Sequence, residues 1–176
     1  MKLFKDRQRN PTPGGRFRPD ADVFAMRREA DVFVAEVRAS PERSVELFHE
    51  LTGMMPEIVD LAVHCFRTGR EYVGEGLHLS EVTDTVARLK VPLTASGGVE
   101  VSVYTGDEQL CLSPLLDLWV YAKSDRWLYL LLGRGLEERA DLPPREWSVP
   151  PNEFTGAPEL VDAVTSTAER LTLKLR

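Results

Sequence analysis

The fold is decided by the stretch VEVSVYTGDEQLCLS, residues 99–113, which reads as two short strands joined by a tight turn. Apolar and polar residues alternate on both sides of the turn, as they do in strands with one buried face. Glycine followed by aspartate, at Gly106-Asp107, favours a two-residue hairpin turn. Pairing across this turn sets Val103 opposite Leu110 and Val101 opposite Leu112, so the apolar faces agree in register. The sequence therefore predicts an antiparallel hairpin here.

A second hairpin is predicted over residues 115–132, where alternation continues. A three-residue loop at 124–126 would set Val120 beside Leu130 and Tyr121 beside Tyr129. One face of this hairpin would then be aliphatic and the other aromatic. The aromatic face would carry Trp119, Tyr121, Trp127 and Tyr129.

Two interpretations of this aromatic face stay open. The four rings could be core residues of central strands that are covered on both sides, because aromatic side chains are common in protein cores. Alternatively, they could form a platform for a partner protein, since Trp and Tyr residues carry much of the binding energy at interface centres, about 2 kcal/mol or more each.

Short helices are predicted before the sheet, at helical spacing of apolar residues. Asp20 caps a first helix that runs to about Ala39. The string Ser40-Pro41-Glu42 starts a second, which Gly53 ends. A third helix runs from Pro56 to Gly69, and a fourth from Ser80 to Pro92.

For the C-terminal part of the chain, the sequence predicts a proline-rich strap followed by a closing helix. Residues 134–157 contain four prolines that forbid most ladder hydrogen bonds, so this strap should run extended with Trp147 as an anchor. A helix begins at Pro158, and the final residues 171–176 alternate like a strand. The predicted fold class is therefore α+β: a helical N-terminal half packed on an antiparallel β-meander, with a proline-rich strap and a C-terminal helix.

Size and composition indicate one globular domain, residues 20–176, in a soluble chain. The 176 residues are 43% hydrophobic and 28% charged, and no apolar run reaches the roughly 20 residues that span a bilayer. The N-terminus lacks the apolar segment of a secretory signal. Cys65 and Cys111 have no metal-ligand spacing and read as free buried thiols. We therefore expect a cytoplasmic protein without a membrane contact.

The first 19 residues form a basic arm that is interrupted by glycine and proline. Its basic residues are Lys2, Lys5, Arg7, Arg9, Arg16 and Arg18. Against Asp6 they give residues 1–18 a charge of +5, and since the whole chain carries −6, the remainder carries −11. An acidic body repels nucleic acid and suits a basic protein partner, so any contact with nucleic acid would run through the arm.

No sequence motif for catalysis, metal or phosphate binding is convincing. His49 and His78 each end a Glu-x-x-His string, the spacing found in di-iron bundles, but the second string is flanked by glycines and the two bridging glutamates are missing. His64 follows Asp60 at i+4, which is typical of a surface contact on a helix. We therefore expect no cofactor, no metal site and no identifiable catalytic residue.

Three functions remain open at this point. The first is a non-enzymatic protein-binding module or adaptor, which would use Trp119, Tyr121, Trp127, Tyr129 and Trp147. Small acidic α+β chains with an aromatic sheet face also occur among immunity proteins and secretion chaperones. This is an analogy of fold and size alone. The second is a structural subunit of a larger assembly that grips a neighbour with its basic arm. The third is a small hydrolase or metal-dependent enzyme that uses His49, His64 or His78.

Overall fold

The structure, a computed structural model, describes residues 22–144 and 158–176, in which one mixed sheet is covered on one face by helices. The strands are β1 Val23–Glu29, β2 Val32–Arg38, β3 Ile58–Cys65, β4 Arg70–His78, β5 Val99–Tyr104, β6 Glu108–Leu112, β7 Leu118–Ala122, β8 Glu137–Glu138 and β9 Lys174–Leu175. The helices are α1 Pro41–Thr52, α2 Leu79–Ser96, α3 Arg126–Gly133 and α4 Pro158–Arg170.

The strand order across the sheet is β8-β1-β2-β7-β6-β5-β3-β4-β9. Every neighbouring pair is antiparallel except β1 with β8, which is a short parallel pair at one edge. The meander β5-β6-β7 lies at the centre of this order, so the strands that flank it belong to two separate hairpins, β1-β2 and β3-β4. The predicted α+β class is confirmed at this coarse level, with an antiparallel-rich sheet.

The predicted hairpin at residues 99–113 is confirmed, register included. Val101 pairs with Leu112 and Val103 with Leu110, and the Thr105 N–H donates to the Glu108 carbonyl across the turn at 2.8 Å. These valines and leucines are fully buried beneath the helices. The alternation of side chains along this hairpin therefore determines which face of the sheet belongs to the core.

The helices pack on this aliphatic face. Helix α1 begins at the predicted cap, with the Ser40 hydroxyl accepting from the Arg43 N–H at 3.2 Å, and it buries Phe48 and Leu51. Helix α4 begins at Pro158 as predicted and buries Leu160 and Val164, and the alternating end of the chain does form the short strand β9. Full burial of a leucine or phenylalanine contributes about 1.5–3 kcal/mol relative to exposure, so this layer holds the helices to the sheet.

The predicted first helix, from Asp20 to Ala39, is wrong: residues 23–38 form the hairpin β1-β2. Phe24 and Met26 on β1 pair with Val37 and Ala35, which places these side chains on the core face. The sequence does not indicate this hairpin, because its turn at Ala30-Asp31 contains no glycine. Ala30 nevertheless has φ +55°, a conformation that normally calls for glycine.

The helix predicted from Pro56 to Gly69 is also wrong. The predicted helical N-terminal half is not supported, because residues 22–78 contain four strands and only helix α1. Residues 58–65 form β3, in which Val59, Leu61, Val63 and Cys65 are buried in alternation. The helix predicted from Ser80 exists as α2, but Pro92 does not end it. The chain stays helical to Ser96, and Leu93 in the last turn is buried in the core.

The predicted second hairpin is half right. Residues 118–122 form β7, but residues 126–133 form helix α3 instead of a returning strand. Only Trp127 and Leu131 of this helix are buried, at the four-residue spacing of a helical face. The pairing of Tyr121 with Tyr129 therefore does not exist, and β7 pairs with β2 and β6.

Helix α3 is fixed to the sheet by one carboxylate, Glu108 of β6. The Trp127 Nε1–H donates to Glu108 Oε2 at 2.7 Å, and the Arg126 guanidinium donates to both carboxylate oxygens at 3.0 and 2.7 Å. The Glu108 side chain is 10% exposed whereas that of Arg126 is 43% exposed. The buried indole therefore depends on Glu108 more than the exposed arginine does.

We expect Glu108→Ala to lower the free energy of unfolding by about 2–3 kcal/mol, because it leaves the buried indole N–H without an acceptor. Arg126→Ala removes the exposed partner and should cost less than about 1 kcal/mol. Urea unfolding followed by circular dichroism measures both values. Equal losses in the two variants would contradict this role of Glu108.

Candidate partner-binding face of the sheet

The sheet face opposite α1, α2 and α4, which we call the open face, is covered by no described helix. Its side chains follow from the registers, because residues that alternate with the buried valines and leucines point the other way. One row across the sheet consists of Ala62, Ser102, Cys111, Trp119 and Glu36, and the next of Asp60, Tyr104, Gln109, Tyr121 and Val34. The face therefore combines aromatic, small and acidic residues.

The aromatic part of the open face is a stacked pair on β7. The Trp119 and Tyr121 rings lie 6.4 Å apart between centroids at an interplanar angle of 14°. Arg27 of β1 places its guanidinium carbon 5.8 Å from the Trp119 ring centroid, a cation–π distance. Arg27 is also the cross-strand partner of the buried Val34. The rings are thereby held in place while Tyr121 stays 36% exposed.

Small side chains form a shallow floor beside the rings. Ala62, Ser102 and Cys111 are neighbours on β3, β5 and β6. The Gln109 amide donates to the Ser102 hydroxyl at 3.4 Å, which orders the border of this floor. Ser102 is buried and Cys111 is only partly exposed, so a side chain from outside would meet the rings before this floor.

One border of the open face is a compact ion cluster around Arg38 of β2. The Arg38 guanidinium contacts Asp117 Oδ1 at 2.6 Å and Glu36 Oε1 at 2.5 Å. Asp117 is 9% exposed and belongs to the turn before β7, in which its own N–H donates to the Ser113 hydroxyl at 3.0 Å. This cluster stabilises the fold rather than offering a free charge.

The other border is acidic. Asp60, Glu75 and Glu100 form no ion pair within residues 22–144 and 158–176. Burial, together with the charges of Asp60 and Glu75, raises the pKa of Tyr104 above its usual value. Similarly, burial raises the pKa of the Cys111 thiol to about 11, with Glu100 adding to the shift. This border therefore carries three carboxylates, while Arg176 acts on the pKa of Tyr104 in the opposite direction.

The residues predicted to bind a partner are separated by the fold. Trp119 and Tyr121 lie together on the open face, whereas Trp127 is fully buried in the core. Tyr129 is 64% exposed, but on α3. Trp147 and the six basic residues of the arm lie outside the described residues. The four-ring platform on a single sheet face is therefore wrong, and a two-ring surface takes its place.

The three histidines do not converge. His49 belongs to α1 on the covered side, whereas His64 of β3 lies on the open face and stacks on Phe66 at 4.1 Å. His78 precedes α2 and pairs with Ile58 at the far end of β3, six residues or about 20 Å from His64. No three metal-binding side chains cluster among the described residues.

The sequence analysis did not name several residues of the open face, although the predicted strand register indicates where they lie. The predicted register of β5 with β6 already places Ser102, Tyr104 and Cys111 opposite the valine and leucine face. Cys111 was expected to be buried, but it is only partly so. The position of Arg27 on the open face could not be predicted, because the sequence predicts a helix over residues 20–39.

No protein-family model, curated protein sequence or solved structure matches the chain. Within the part of the chain that the structure describes, no helix is long and apolar enough to cross a membrane.

Alkylation of Cys111 tests the electrostatics of the open face. Since the thiolate is the reactive form and the pKa is about 11, we expect the iodoacetamide rate of the native protein to rise about tenfold per pH unit from pH 8 to 10 without levelling off. Peptide mass spectrometry should find the label on Cys111 and not on the fully buried Cys65. A rate that levels off near pH 9 would show an unshifted thiol.

Proposed function

We propose that this chain is a protein-binding module that holds its partner on the open face. The observation that carries the proposal is the stacked Trp119–Tyr121 pair in the middle of a sheet face that the described helices leave uncovered. The solvent side of an antiparallel sheet is usually polar. Rings of this size on such a side therefore favour a docking role.

The proposed partner is a protein segment with an apolar side chain next to basic side chains. The apolar side chain would contact the rings of Trp119 and Tyr121, of which Tyr121 is exposed. The basic side chains would meet Asp60, Glu75 and Glu100, which have no ion pair among the described residues. This charge pattern disfavours nucleic acid, because phosphates would be repelled.

The other two functions draw less support from the described residues. An enzyme would need titratable groups that converge, and the three histidines lie on different elements and on both sides of the sheet. The function as an assembly subunit, whose basic arm would hold a neighbouring subunit, depends on residues outside the described part of the chain.

Site-specific photo-crosslinking in the source cell tests the proposed function. With benzoylphenylalanine in place of Tyr121, we expect one dominant adduct with another protein, identified by mass spectrometry. The same photo-reactive residue in place of the exposed Tyr129 serves as the matched control on the opposite layer. Adducts that are equally weak at both positions would contradict the proposal.

The identified partner then allows an affinity measurement. Trp119→Ala should weaken binding by about 30-fold, because central aromatic residues contribute about 2 kcal/mol. Circular dichroism of the variant checks that its fold is intact. An unchanged affinity in a folded Trp119→Ala variant would exclude the open face as the binding surface.

A further inference from the structure

We propose that the open face binds a second copy of this chain, so that two sheets pack face to face around a two-fold axis. The inference rests on the proposed function, because it names the partner that this face holds. It follows from the order of side chains along two rows of the sheet, from their charges and sizes, and from the extent of the face.

A two-fold dimer needs a surface on which complementary groups lie at equal distances on the two sides of the axis. Two sheets that pack in a sandwich keep their strands nearly aligned, so an axis parallel to the strands exchanges positions within one row. An axis between β7 and β6 sets β7 against β6, β2 against β5, and β1 against β3 of the second copy. Each row of the open face is then opposed by its own reversal.

Opposite charges lie at the two ends of the row that contains Tyr121. Arg27 of β1, the cross-strand neighbour of Val34, is at one end, and Asp60 of β3 is at the other. The axis brings Arg27 of each copy to Asp60 of the other. Asp60 forms no ion pair among the described residues, and the pair of Arg27 with Glu29 is exposed and contributes little.

Other charged side chains of the face fit the same arrangement. Glu100 of β5 comes near Arg38 of β2 in the second copy. Lys174 and Arg176 lie at the β9 edge, beyond the six strands that the axis brings together. Arg176 there lies 4.0 Å from Glu71 of its own chain. A mixture of both charges on one face is what a self-complementary surface requires, whereas a purely basic partner would meet repulsion from the arginines.

Side-chain sizes are complementary on the two sides of the axis. Trp119 of β7 is set against Cys111 of β6 in the second copy, and Tyr121 against Gln109. Each ring therefore meets a smaller side chain, which allows the two sheets to approach the usual distance of about 10 Å. The two stacked rings of each copy flank the axis, at the centre of the contact, where aromatic residues contribute most.

The open face is large enough for such a dimer. The six strands β1, β2, β7, β6, β5 and β3 span about 29 Å at about 4.8 Å each, and a strand of about six residues is about 20 Å long. This gives a footprint of about 600 Å² per copy and about 1,200 Å² for both, the lower end of the range for specific interfaces. We therefore expect a dimer that dissociates on dilution.

Analytical ultracentrifugation of the purified, full-length chain over a range of concentrations measures the dissociation constant of the dimer. Arg27→Glu should raise this constant at least about tenfold, because the two-fold axis turns two attractions into two repulsions. Arg28→Glu is the matched control. It makes the same change at the next exposed residue, whose side chain points to the other side of β1, and should leave the dissociation constant unchanged.

Charge reversal identifies the opposing group. Asp60→Lys should also raise the dissociation constant at least about tenfold, and its combination with Arg27→Glu should return the constant to within about threefold of the unsubstituted value. Asp60 accepts from the Gly76 N–H at 2.8 Å, so Asp60→Asn, which keeps an acceptor, serves as a second variant and should weaken the dimer at least about threefold. A chain that is monomeric at every concentration, or single variants that dimerise as the unsubstituted chain does, would overturn the inference.

Photo-crosslinking locates the contact and separates the inference from the proposed function. With benzoylphenylalanine in place of Tyr121, the purified chain should give an adduct of dimer size that maps to the peptide containing Gln109, whereas the same residue in place of Tyr129 should give none. If the purified chain is monomeric while the Tyr121 position crosslinks a foreign protein in cells, only the inference fails. If that position crosslinks neither a second copy nor a foreign protein, the proposed function fails as well.

Discussion

Within residues 22–144 and 158–176, helices cover one face of the central sheet and leave the other uncovered, and the rest of the described structure follows from this asymmetry. The register of β5 with β6 and β7 sets the valines and leucines of all three strands on the covered face. The same register sends Tyr104, Cys111 and Trp119 to the other side. A slip of one residue would exchange the two faces, so the apolar packing of the core also fixes the composition of the candidate binding surface.

The elements that the sequence predicts correctly are those with a local signal. The turn at Gly106-Asp107 and the alternation around it specify the central hairpin, and the cap at Ser40 with Pro41 specifies the start of α1. On the candidate site, Trp119 and Tyr121 were found because they alternate with buried residues of β7. In each case neighbours in the chain provide the information.

The wrong predictions concern segments whose conformation depends on contacts with distant parts of the chain. Val59 and Ala62 fit a helical spacing as well as a strand, and only pairing with β4 and β5 makes residues 58–65 extended. Trp127 alternates with its neighbours as in a strand, yet the acceptor that buries its indole N–H is Glu108, on another element. The acidic border likewise joins Asp60, Glu75 and Glu100 from three strands, which no local pattern brings together.

Solvent accessibility of the two indoles tests the asymmetry of the sheet most directly. At a concentration at which the chain is monomeric, a soluble gadolinium chelate should broaden the indole N–H resonance of Trp119, on the open face, and spare that of the fully buried Trp127. Each resonance is assigned by substitution of one tryptophan at a time. Strong broadening of Trp119 alone is the result that this account predicts. Equal protection of both indoles would mean that the sheet is covered on both sides and would contradict it.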